Sequence, residues 1–195
     1  MNLITASVKL AMLRELSFDN YAFPRWQSVA GIMLVAVLSG LGQNPEAAAQ
    51  AHITLPPQWF TVIMGLLITW ALILPAVSVL GWWMKRDGRW DGQGDMFNLL
   101  ASSWFLINLV SAVANLVGAP AFIGTALLLY SLWVSGNALS GAIPKSTLSY
   151  SISGLIIGIL PGILISAFLS IAGGILLYKM GYLPPPLPPA PPPAG

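Results

Sequence analysis

From Ile152 to Tyr178 the chain carries no charge, and a small residue recurs at every fourth position: Gly154, Gly158, Gly162, Ser166, Ser170 and Gly174. In water such a run makes a poor helix, because each glycine costs roughly 1 kcal/mol against alanine. In hydrocarbon the backbone must satisfy its own N–H and C=O groups, so the same residues are held helical. The missing side chains then admit a neighbouring helix at short range. Residues four apart drift by about 40° around the axis, so the row turns through about 200° over its length. One straight neighbour cannot follow that turn. The sequence therefore predicts one neighbour on the first half and another on the second. Pro161, between the halves, removes the hydrogen bond to Ile157 and predicts a bend.

The remainder of the chain suits the same solvent. It is 56% hydrophobic and 7% charged, against about 25% charged in a soluble domain. The fold class expected is an all-α integral membrane protein. A net charge of +2 is too small to indicate nucleic acid. Without cysteine, disulfides, thiolate chemistry and cysteine metal sites are excluded.

Three segments follow. Residues 1–24 form a cytoplasmic segment with an interfacial helix lying on the membrane, its apolar positions scattered around the wheel. Residues 25–182 form a membrane domain of five transmembrane helices, at 26–42, 59–84, 97–117, 122–139 and 152–178. Residues 183–195 form a polyproline tail. Val29–Leu41 followed by Ala47-Ala48-Ala49 imitates a signal peptide, but the preceding stretch is too long for one, so it is read as a retained first span. Pro24 suits a helix start, and Pro75 should kink the second span. Gly118-Ala119-Pro120 leaves room only for a tight reversal, and 140–151 reads as a loop. Trp59 marks one interface; Trp82 and Trp83 mark the other.

Orientation comes from the cations. With five spans, Lys9, Arg14, Arg25, Lys85, Arg86, Arg89 and Lys145 share one side, and the last of the eight, Lys179, takes the other. Positive charge marks the cytoplasmic side. The N-terminus is thus cytoplasmic and the C-terminus outside, in the inner membrane of a bacterium. In polyproline II the tail reaches roughly 40 Å, as a stalk or as a strand laid on a partner.

Candidate chemistry is sparse. Trp104, Asn108, Ser111, Asn115 and Gly118 fall within about 80° on the third span. Asn108, Ser111 and Asn115 read first as interhelical polar contacts, against Ser131, Ser135 or the serines of the last span, and otherwise as the lining of a solute path. Asp87, Asp91, Gly92 and Asp95 partly imitate a calcium loop. However, Arg89 occupies the third ligand position and Asn98 the twelfth, so no metal is expected. Lys85, Arg86 and Arg89 read instead as contacts to anionic lipid headgroups. His52, the lone histidine, lies near Glu46 in the outer loop and cannot build a metal site alone. No Asp, Glu, Lys, Arg or His falls inside a span, which argues against ion-coupled pumping and intramembrane hydrolysis. No cofactor is expected, and no enzyme.

Phe18–Trp26 leading into the first span, Gly92-Gln93-Gly94-Asp95-Met96-Phe97 leading into the third, and the glycine-rich last span together resemble the Yip1-domain family. The resemblance covers roughly residues 10–178. It implies a cytoplasmic N-terminal segment, five packed spans and a non-enzymatic membrane scaffold. Where that family carries Gly-Tyr-x-x-x-Pro, this chain reads Ala101-Ser102-Ser103-Trp104-Phe105. The acidic element of its eukaryotic members is absent as well, so no GTPase-binding role is carried over. The leading expectation is an accessory or assembly subunit of a larger membrane complex. Its partners would be membrane lipids and other membrane protein subunits. The alternative is a passive channel or small-solute transporter lined by Asn108, Ser111 and Asn115.

Overall fold

A computed structural model describes residues 1–42 and 54–182. Glu46 and His52 and the proline tail lie outside the described residues. Among the described residues all regular structure is helical: α1 (Leu3–Ala11), a 3₁₀ turn (Phe18–Tyr21), α2 (Arg25–Leu41), α3 (Gln58–Arg86), α4 (Met96–Leu116), α5 (Ala121–Ala142) and α6 (Leu148–Lys179). α3, α4, α5 and α6 are each long and apolar enough to cross a membrane, as expected of an integral membrane protein; α2, at 17 residues, is shorter.

Local chemistry sets the helix limits. Pro24, Pro57 and Pro120 each stand just before a first turn, where a fixed φ and a missing N–H cost nothing. Asp95 caps α4 by accepting from the N–H groups of Phe97 and Asn98, and the Thr147 hydroxyl accepts from Tyr150 N–H at the start of α6. The α4–α5 reversal turns at Gly118, with φ of +73°. The loop expected over 140–151 shrinks to 143–147, because Ser146 and Ser151 bond each other (2.8 Å) and let α6 begin earlier.

α2 packs on α3, α3 on α6, α6 on α5, α5 on α4, and α4 back on α2, with little contact across the ring. The end at which α2, α4 and α6 begin is called inner below. There the ring is filled by Leu80, Met84, Leu99, Leu100, Leu139 and Leu155.

α1 does more than lie on a surface. It packs against α4, burying Leu3, Ala6, Ser7 and Leu10 while Ile4, Val8 and Met12 face outward. Those buried positions are a regular helical stripe, hidden on a hydropathy wheel because two of them are alanine and serine. Ser7 satisfies its hydroxyl on Leu3 C=O (2.8 Å), so its burial is inexpensive.

The small-residue row of α6 behaves differently from the expectation of two neighbours. Gly154 faces Leu80 and Trp83, Gly158 faces the backbone of Ala76, and Gly162 faces that of Ala71 and Leu72. Farther along, α3 is met not at Gly174 but at Gly173, against Met64 and Phe60. Eleven residues make three turns almost exactly in register (about 20° of drift), so stepping from Gly162 to Gly173 keeps one neighbour in line. Ser166 keeps its hydroxyl oxygen buried, and the last two rungs leave the interface. Ser170 is exposed, and no atom lies within 4 Å of a Cβ built on Gly174.

Both helices run unbroken through Pro75 and Pro161. Pro75 deprives Ala71 C=O of its helical donor. Gly162 comes so close that an added Cβ would stand 2.8 Å from that oxygen. A second close crossing, where Gly40 of α2 meets Thr61 and Val62 and Gly65 of α3 meets Ala36 and Gly40, was hidden from sequence by the longer row in α6.

Candidate functional site

The outer half of the ring is not filled. A cavity of about 770 Å³ lies there, with walls from α2, α3, α4, α5 and α6. Its floor is built on Ile32, Ile73 and Ala101, with Trp104 packed against them. Below that floor Leu80, Leu99, Leu100, Leu139 and Leu155 are completely buried.

One wall is polar. Asn108, Ser111 and Asn115 line the cavity from α4, and exposure rises along that row from the half-buried Asn108 to the exposed Asn115. None of the three makes a side-chain hydrogen bond to the described residues. Sequence predicted cross-helix bonds from them; the structure puts those bonds deeper. Ser103 and Ser135 bond across α4 and α5 at 3.0 Å. Ser28 donates to Asn98 Oδ1 (2.7 Å), while Asn98 Nδ2 donates to Tyr21 C=O and Phe23 C=O at 3.0 and 2.7 Å. Asn98 thus ties α2, α4 and the N-terminal turn together, and it is fully buried. The available signal was an amide just inside the third span, beside Ser102 and Ser103.

The register fixed by Ser103 and Ser135 brings Ser131 of α5 level with Asn108. Ser131 also lines the cavity; it is 5% exposed, and its hydroxyl has no partner among the described residues. The other walls are mostly apolar, with Ser39 on α2 and Thr61 and Thr69 on α3 as further hydroxyls, and no lining residue is titratable. At the α5–α6 side the two helices meet at the inner end, where Gly136 packs on Leu148 and Ile152. Farther out, Leu128 and Ile163 both line the cavity and are 59% and 49% exposed. The cavity therefore reaches the flank of the bundle as well as its outer end.

The inner polar loop is engaged with the protein itself. Arg89 donates to Lys145 C=O at 2.9 Å and lies 3.9 Å over the Tyr150 ring, whose hydroxyl donates to Asp87 at 2.7 Å. Lys85 sits over Trp90 and Arg86 over Trp82, both cations remaining exposed. Asp95, counted from sequence as a calcium-type ligand, instead caps α4 and pairs with Arg25 at 2.6 Å. Trp90 stacks on Phe18, and Phe18 fills the space where a side chain at Gly94 would be. The 3₁₀ turn is thereby fixed to the loop. Among the described residues no group of three or more His, Cys, Asp or Glu is placed to hold a metal.

No family model, curated protein or solved structure matches this chain. What the arrangement can do is therefore read from its own walls. It offers an uncharged space, open at the flank and the outer end, with a short row of unpaired amides and hydroxyls.

Proposed function

We propose that the chain is a non-catalytic membrane protein of five spans, α2 to α6, and that it takes a guest molecule into the outer half of the ring. The N-terminus lies in the cytoplasm and the far end of α6 outside. The observation that carries this reading is the cavity of about 770 Å³ walled by all five helices, a size within the roughly 300–1,000 Å³ of small-molecule sites. The packed layer beneath it favours a blind pocket over a passive channel. Its uncharged lining favours binding over ion-coupled transport. The orientation rests on seven of eight cations at the inner end, where the exposed Lys85 and Arg86 would also meet anionic headgroups.

A chain without cysteine allows a direct test. Asn108→Cys and Asn115→Cys should react with a membrane-impermeant maleimide added outside, and Leu100→Cys from neither side. Reaction of Asn108→Cys from both sides would restore the channel; reaction from the cytoplasmic side alone would reverse the orientation.

A second reading is the accessory subunit of a larger complex, the kind of scaffold that the Yip1-domain resemblance implies. It is favoured by the outer half of α6, where Ser170 and Gly174 lie bare beside the exposed Leu164, Phe168 and Ile171. Purification from native membranes in a mild detergent tests it. Fixed co-purifying membrane subunits would support it, and a chain that elutes alone would count against it.

A further inference from the structure

We infer that the guest is an uncharged single-chain amphiphile, a hydrocarbon chain ending in a hydroxyl- or carbonyl-bearing head, that enters from the bilayer between α5 and α6. This rests on the reading of the cavity as a guest site, and three observations narrow it. The amides lie on one wall, Asn115 exposed and Asn108 half-buried with Ser111 between them, and the buried Ser131 faces that wall from α5. Asn108 and Ser131, on facing helices at one level, lack partners among the described residues, and Ser131 is almost wholly buried. Both face the cavity, and a head carrying its own hydroxyl or carbonyl supplies the hydrogen bonds they lack. The remaining lining is mostly apolar, with Ser39, Thr61 and Thr69 as its scattered hydroxyls, so a fully polar guest such as a sugar would leave most of its own hydroxyls unmatched, whereas a hydrocarbon chain would not.

Charge sets the next limit. With no cation or anion in the lining, a phosphate or carboxylate head would enter as an uncompensated charge, which hydrocarbon surroundings strongly oppose. The route follows from Leu128 and Ile163, which belong both to the cavity wall and to the lipid-facing flank. A chain can lie between them while its head sits at Asn108. The head descends the polar wall and the chain trails into the bilayer.

The test uses Ser131→Cys, a near-isosteric change that supplies the chain's only thiol, in phosphatidylcholine nanodiscs. The rate of its modification by N-ethylmaleimide is followed with 1-monooleoylglycerol, with oleate at pH 9, or with glycerol added. Monooleoylglycerol should slow modification by about tenfold, and neither of the others should. Adding Asn108→Leu should abolish most of that protection. Equal protection by oleate would overturn the uncharged head. Protection by glycerol but not monooleoylglycerol would overturn the chain-bearing guest while leaving the pocket as a solute site. If Ser131→Cys stays unmodified while Asn115→Cys reacts freely, the cavity itself is closed, and the guest reading falls with this one.

Discussion

Asn98 and Asn108 stand on one helix, in halves of the ring that treat the same side chain in opposite ways. At the inner end Asn98 is sealed from solvent and its amide is saturated by a serine and two backbone carbonyls. In the outer half Asn108 faces a cavity and bonds nothing among the described residues. At the inner end the amide joins two helices and a turn; in the outer half it is left unpaired beside open space. Amides in hydrocarbon are therefore not one kind of feature. Their worth depends on whether a second helix, or a turn, has been brought within reach.

The sharpest way to break this comparison is Asn98→Leu. It strands two carbonyls and the Ser28 hydroxyl, and should cost about 2–4 kcal/mol, read as a lower unfolding midpoint in detergent with the N-terminal turn becoming protease-sensitive. An unchanged midpoint would remove the distinction. Next comes the α3–α6 contact. Gly162→Val drives a side chain into the backbone of Ala71 and Leu72 and should cost about 1–3 kcal/mol. Gly174→Val, with no atom near, should stay within about 0.5 kcal/mol. A similar loss from both would mean that the whole row, and not its first half, is the interface.

Asn108→Leu sharpens the other side. Removing an amide that has no partner should change stability by less than about 0.5 kcal/mol while emptying the pocket of its guest, measured by unfolding and by the thiol-protection assay. Smallest of all is Tyr21→Phe. The Tyr21 hydroxyl is buried without a partner among the described residues, and burial pushes its pKa up from the usual 10.0. The phenol binds its proton more tightly folded than unfolded. Its contribution is therefore whole below about pH 10 and lost as pH rises beyond it. Tyr21→Phe should leave neutral stability nearly unchanged and reduce the alkaline loss, as a titration of the unfolding midpoint between pH 8 and 11 would show.

Much of the architecture could be read along the chain, because membrane helices are governed by local rules. A charge-free apolar run must be helical in hydrocarbon, and Pro24, Pro57, Pro120 and Thr147 mark where helices begin through φ and capping alone. The charge asymmetry is equally local. Partnership is not. Whether Gly173 or Gly174 meets α3 depends on an eleven-residue step set by two long helices staying in line. Whether Asn98 or Asn108 is bonded depends on where a distant N-terminal turn docks. The cavity has no sequence signature, since it is the space five helices fail to fill. Composition and periodicity fixed the helices and the solvent they suit; only the assembled ring decided which small residues touch, which amides are satisfied, and where a guest could fit. The physical reason is range: hydrogen bonds within a helix join near neighbours in the chain, whereas contacts between helices join residues that only the tertiary fold brings together.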